Sequence, residues 1–143
     1  MPARLKRAKK ELVKLSHTFI RKRDSINQNE ISGYCFDCGK LSSGRDFQCG
    51  HWIPDSTGGA LLRYHPQNMH GQASSCNCGY KQEMAKINYT LAMEKKYGLD
   101  RIEKLKQLKN KSIKADIIFY ETLISLYKQN NQQNIIDYLD SLC

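Results

Sequence analysis

Nothing in the 143 residues approaches the ~18–20 consecutive apolar positions needed to cross a bilayer. The N-terminus also lacks the apolar core that a secretory signal carries between its charges. Together these absences predict a soluble chain that works in the cytoplasm, with no membrane partner. Acids are scarce at the front of the chain. Residues 1–23 hold Arg4, Lys6, Arg7, Lys9, Lys10, Lys14, Arg21, Lys22 and Arg23 against a single acid, Glu11. Faces that merely keep a helix soluble mix both signs, so this scarcity points away from that reading and toward phosphate contact. There is no internal repeat, and the length leaves room for one domain of ordinary size, which excludes a multidomain machine.

What is present is a core and a charge. Hydrophobic residues make up 40% of the chain, enough to fill the interior of a domain this long. The balance of 23 Lys+Arg over 14 Asp+Glu gives +9, which suits a polyanionic partner, nucleic acid first. Leu5, Ala8, Leu12, Leu15 and Phe19 alternate at three and four and predict a helix of about six turns with a basic opposite face. Residues 24–34 read as a polar connection. Beyond it, the alternating stretch Asp46–Trp52, the Thr57-Gly58-Gly59 loop and Ala60–Tyr64 predict two short strands joined by a loop. From Glu83 the pattern is helical again, with Met84, Ile87 and Leu91 on one face and Gly98 as the stop. Asp100 and Glu103 then form a capping-box-like start. Ile117, Tyr120, Ile124 and Tyr127 stripe another helix, and Ile135, Leu139 and Leu142 a last one after the break at 129–134.

Five of the six cysteines lie between positions 35 and 78. In a reducing compartment such clustering indicates metal before disulfides. Cys35-Phe-Asp-Cys38-Gly39 has the spacing with which a tight turn aims two thiolates at one tetrahedral ion, and no thioredoxin-like context surrounds it. Cys76 supplies a third thiolate. The fourth is Cys78 by preference, with His70 and Cys49 as competitors, although Cys49 between Phe47 and Trp52 also reads as a small buried hydrophobe. Thiolates that fill every position make a structural zinc site.

Phe19-Ile-Arg-Lys-Arg-Asp24, Cys35-x-x-Cys38-Gly39, Gly50-His51-Trp52, Leu62-Arg-Tyr64, Asn68-Met-His70, Gln72 and Cys76-Asn77 occur in an order and spacing that are specific together. In these motifs the chain resembles the phage NinG (Rap) recombination-endonuclease family, a branch of the HNH or His-Me finger nucleases built on a zinc-bound treble clef. The resemblance implies that His51 is the general base, since an imidazole that titrates near neutrality takes a proton from water, which then attacks phosphorus in line. It implies that Asn68 braces the loop holding that histidine. It also implies that Asn77 offers an amide oxygen to a catalytic divalent cation, Mg²⁺ or another, and that Arg63 faces the phosphate from the second strand. Three positions depart from the family pattern. Ala73 stands where a zinc cysteine is usual, Met84-Ala85 where a Gly-Asn pair is common, and Gly50 where many HNH enzymes place an acidic metal ligand, although the Gly-His form is itself similar to this family. Asp46 and Asp55 are further candidates for the catalytic cation.

The expected fold class is α+β. A basic helix and linker occupy 1–30, a zinc-stapled treble-clef ββα core 31–97 and a helical region 98–143. The expected activity is metal-dependent hydrolysis of DNA to 5′-phosphate and 3′-hydroxyl ends. By resemblance the substrate is branched DNA such as Holliday junctions and D-loops, bound through Arg4, Lys6, Arg7, Lys10, Lys14, Arg21, Arg23 and Arg63. The apolar stripes at 117–142 suggest a homodimer. The alternatives are a zinc-stabilised DNA-binding module with a decayed nuclease site and an enzyme that nicks any duplex.

Overall fold

The computed structural model describes residues 1–27 and 29–143; Gln28, in the predicted connection, lies outside them. The basic segment forms α1 (Ala3–Arg23), which buries Ala8, Leu12, Ser16 and Ile20, with Leu5, Leu15 and Phe19 partly covered beside them. Its last turn carries Arg21, Lys22 and Arg23, which complement the carbonyl end of the helix. Two antiparallel hairpins follow. The first pairs β1 (Ser32–Tyr34) with β2 (Leu41–Ser43), and its tip is the Cys-x-x-Cys turn. The second pairs β3 (Phe47–His51) with β4 (Met69–Ala73), with Phe47 opposite Ala73 and His51 opposite Met69.

The first strand of the predicted pair is β3. The second is not Ala60–Tyr64: those residues lie in and after α2 (Asp55–Arg63), which bends at Gly59 (φ 74°), and the true partner strand begins at Met69. An apolar run this short does not separate helix from strand by its own period. Its burial follows Gly58, Leu61 and Leu62, a helical spacing. Arg63 therefore stands at the end of a helix and not on a strand.

The remaining elements are α3 (Ser74–Asn77), α4 (Gln82–Tyr97), α5 (Leu99–Lys109), α6 (Ile117–Lys128) and α7 (Gln132–Ser141). The architecture is α+β. Gly98 separates α4 from α5 with φ 82°, so α5 starts one residue later at Leu99. Asp100 then lies inside the first turn and makes no cap, contrary to the capping-box expectation. On α4 the expected apolar face is the wrong row. Met84, Ile87 and Leu91 are exposed, and Ala85, Tyr89 and Met93 are buried. The core takes the row containing Tyr89 because that phenol has partners inside, donating to the Gly50 carbonyl at 2.9 Å and meeting His70 Nδ1 at 2.9 Å.

The stripes on α6 and α7 close the same core. Tyr120, Leu123, Ile124, Tyr127, Ile135 and Leu139 are buried with α1 and α2 residues, and Phe19 meets Tyr127 edge-on at 5.3 Å. These stripes are therefore covered within the chain, which removes the ground on which they suggested a dimer. Among the described residues no helix is long and apolar enough to cross a membrane.

Arg23 ties the layers together. It pairs with Asp24 at 2.7 Å and donates to the carbonyls of Pro66 (2.8 Å) and Met69 (2.7 Å), while Asp24 accepts from Gly71 N–H at 2.8 Å. Removing one partner of this partly buried pair leaves the other and two carbonyls without their hydrogen bonds. Arg23→Ala is expected to destabilise the fold by about 2 kcal/mol, read as a lower urea midpoint. An unchanged midpoint would show that the network contributes nothing.

Candidate functional site

Three thiols meet at the hairpin tip. Cys35, Cys38 and Cys76 place their sulfurs within 4.8 Å of one another, and Cys76 Sγ is 3.5 Å from Cys38 Sγ. The turn that aims the first two is closed by Gly39 N–H to the Cys35 carbonyl (2.9 Å) and Cys35 N–H to the Lys40 carbonyl (2.8 Å), while α3 carries the third. Burial, with a hydrogen bond to Asp37, pushes the Cys35 thiol up to about 11, and burial raises Cys76 further. Cys38, more exposed, is lowered: burial opposes this, but the Lys40 amide and the neighbouring thiols outweigh it. Buried thiols that resist ionising alone suit a cation that holds them as thiolates. The cluster fits a soft metal such as zinc.

None of the three expected fourth ligands joins it. Cys78 follows the end of α3, where the backbone leaves the helical conformation (φ −142°). Its sulfur turns to Gln48 Oε1 and the Ser74 carbonyl instead, both at 3.5 Å. His70 is sealed between the hydroxyls of Tyr89 (2.9 Å) and Tyr97 (2.7 Å) and stacked on Phe36 at 3.8 Å. Cys49 is core, its thiol pushed up to about 12 by burial. The residues that do pack with Cys35 and Cys76 are Ala73 and Ala85, which have no ligand atom to offer.

Beside the cluster lies an open cleft of about 680 Å³ that His51, Asp55, Gln72 and Asn77 help to line. His51, the last residue of β3, has Nε2 2.9 Å from the Arg63 carbonyl and 3.5 Å from Asp55 Oδ1. Both neighbours are acceptors, so Nε2 carries the proton and Nδ1 keeps its lone pair. Arg63 Nε sits 3.4 Å from Oδ2 of Asp55, itself a cleft residue, and the guanidinium is 42% exposed. Asn68 is fully buried. Its Nδ2 donates to the carbonyls of Ile53 and Leu62, both at 3.0 Å, and its Oδ1 accepts from Ile53 N–H at 2.9 Å. It thereby fastens the loop after β3 to α2.

The structure sorts the basic residues of α1. Arg4 pairs with Glu121 at 2.6 Å, Arg21 donates to the Phe47 and Gly44 carbonyls, and Arg23 is used as described above. Arg21 and Arg23 are therefore clamps on the hairpin and not the free phosphate contacts expected, because a guanidinium beside a sheet edge finds carbonyls first. Lys6, Arg7, Lys10 and Lys14 remain exposed with no carboxylate partner among the described residues. At helical spacing their row continues to His17, whose ring meets His51 edge-on at 5.8 Å. Burial first, and then His51, lowers the His17 pKa below its ordinary value, so it is neutral at neutral pH. Sequence reading passed over His17; the three- and four-residue steps from Lys6 through Lys10 and Lys14 were the available signal.

The family model Bacteriophage Lambda NinG protein matches residues 3–135. The chain belongs to the NinG family. No curated protein and no solved structure matches it. The match spans α1, both hairpins and most of the C-terminal helices, so the thiol cluster, the cleft and the basic row all lie inside the NinG region.

Proposed function

We propose that this NinG-family chain is a metal-dependent DNA endonuclease in which His51 activates water for attack on a phosphodiester. The observation that carries the reading is the His51–Arg63 carbonyl contact at 2.9 Å, which presents an imidazole with a free Nδ1 at an open cleft. An imidazole so oriented has a lone pair with which to take a proton from water. Asn68 keeps the loop, and with it the histidine, from shifting. Arg63, held beside Asp55 and part exposed, has charge free to meet a phosphate oxygen. A divalent cation held with the help of Asn77 supplies charge neutralisation for the phosphoryl oxygens when bound. In this reading zinc at Cys35, Cys38 and Cys76 is structural and the hairpins with α3 and α4 form a treble-clef ββα unit of the HNH type.

The exposed row Lys6, Arg7, Lys10 and Lys14 supports a duplex arm lying along α1, its contacts being to phosphate and so salt-dependent. By the resemblance noted in the sequence, the proposed substrate is branched recombination DNA. His51→Ala, assayed on a four-way junction with Mg²⁺, is expected to lose cleavage by ~10²-fold or more while keeping junction affinity. Equal cleavage by the variant and the wild type would remove His51 as the general base, and junction binding without any wild-type cleavage would leave a zinc-stabilised DNA-binding module. Linear arms tested alongside, if cut as fast as the junction, would reduce the activity to general nicking.

A further inference from the structure

Gly50 precedes His51 with no side chain, and the space beside it is filled from elsewhere. A Cβ built on Gly50 would overlap Gln72 Oε1 and stand 2.9 Å from Asn77 Oδ1. Two amide oxygens, one from β4 and one from the end of α3, thus converge where the side chain of residue 50 would begin, on the wall of the His51 cleft.

Their orientation is set by their neighbours. Gln72 Nε2 donates to Asp37 Oδ1 at 3.0 Å, and a carboxylate only accepts, so the amide nitrogen must face Asp37 and Oε1 must face Gly50. Gln72 is 3% exposed, yet no donor among the described residues reaches Oε1. Gln48 Nε2 donates to the Arg45 carbonyl at 3.2 Å, which turns Gln48 Oε1 toward Asn77. Asn77 Nδ2 donates to it at 2.9 Å, leaving Asn77 Oδ1 aimed at the same point as Gln72 Oε1. Both oxygens lack a protein donor among the described residues and open onto the cleft rather than into the core, so a cation in the cleft can meet them directly.

We propose that Gln72 Oε1 and Asn77 Oδ1 together are the protein's ligands for a hard divalent cation above Gly50, with Gln72 replacing across the hairpin the ligand that residue 50 does not provide. The inference rests on the nuclease reading for its purpose but not for its geometry. Amide oxygens suit Mg²⁺ or Mn²⁺ and not a thiophilic ion, which separates this site from the cysteine cluster close by. Because both ligands are neutral, the cation binds weakly until a DNA phosphate adds charge, and the site discriminates for a phosphodiester-bound metal over free metal. Gly50 is then required, since any side chain would expel the Gln72 oxygen.

The test is Mn²⁺ titration of the zinc-loaded full chain followed by paramagnetic broadening of backbone amide signals, without DNA. Broadening is expected first at Gly50, His51 and Asn77. Gln72→Met and Gly50→Ala should each need at least tenfold more Mn²⁺ for the same broadening, and Asn77→Asp at least tenfold less. Broadening centred elsewhere in the wild type, or unchanged by Gln72→Met in a folded variant, overturns the site. If either loss-of-ligand variant fails to fold, the wild-type broadening pattern and the Asn77→Asp gain decide. Cleavage is not read, so failure here leaves the His51→Ala result standing, and indifference of cleavage to His51→Ala leaves this cation site standing.

Discussion

Replacing Cys76 with serine, or stripping bound metal with a strong chelator, is expected to abolish cooperative melting of the hairpin end of the chain. The reason is how little else holds that end. Besides Cys35 and Cys76, the buried residues packed there are Ala73 and Ala85, and the flanking β1–β2 hairpin has three residues per strand. A two-stranded hairpin is marginal in water, and small side chains bury little apolar surface. Zinc bound by thiolates contributes roughly 10–16 kcal/mol of apparent binding free energy at neutral pH, which exceeds the whole stability of many domains. Metal content and circular dichroism melting should therefore change together, with about one zinc per chain in the wild type. Ala73→Cys supplies the companion measurement. It places a thiol at a position packed against Cys35 and Cys76 that has no ligand atom, and should tighten zinc by tenfold or more. A melt indifferent to chelation, or an Ala73→Cys variant with unchanged zinc affinity, would show that the cluster is not a metal site.

Acid is expected to destabilise the fold well before its carboxylates titrate. His70 has no solvent exposure, and burial, with Arg23 and Lys96 nearby, pushes its pKa down to about 2. His65, buried against Asp140 at 3.0 Å, and His17 are lowered by burial as well. A group whose folded pKa is depressed adds stability that is complete above the unfolded pKa near 6.5 and is lost as pH falls below it, because the unfolded chain takes up the proton that the fold refuses. The slope is about 1.4 kcal/mol per pH unit for one such histidine, so His70 alone costs about 3 kcal/mol between pH 6.5 and 4.5. At this chain length that corresponds to roughly a 10 °C fall in Tm. His70→Gln keeps polar contact with Tyr89 and Tyr97 without a titrating ring, so its Tm should fall less over the same interval. Parallel curves for the two proteins would place the acid sensitivity elsewhere, in the thiolates for instance.

The parts of the site that were legible in the sequence share one property: their ligands are close along the chain or carry unmistakable chemistry. Cys35 and Cys38 lie in one turn, and Cys76 is a third thiol whose chemistry stands out in the sequence. The Gly50-His51 step and Asn68 were recognisable by their order. What escaped was cross-strand or helix-to-strand in origin. Gln72 was quoted only as part of a motif, because nothing in a linear pattern says that its oxygen enters the space left by residue 50 on the neighbouring strand. His17 belongs to a helix whose composition speaks of phosphate binding, and only the packing of α1 against β3 brings it to His51.

By itself the sequence determined that α1 is an amphipathic helix, that three cysteines share a point, and that positive charge collects at one end, since these depend on period, spacing and composition. Tertiary structure decided which row of α4 is buried, because Tyr89 finds hydroxyl partners inside and Met84, Ile87 and Leu91 do not. It decided which arginines are free, because carbonyls at the hairpin edge capture Arg21 and Arg23 before any phosphate can. It also placed the amide oxygens of Gln72 and Asn77, whose direction follows from donors and acceptors supplied by residues on other elements, and such partners exist only once the chain has folded.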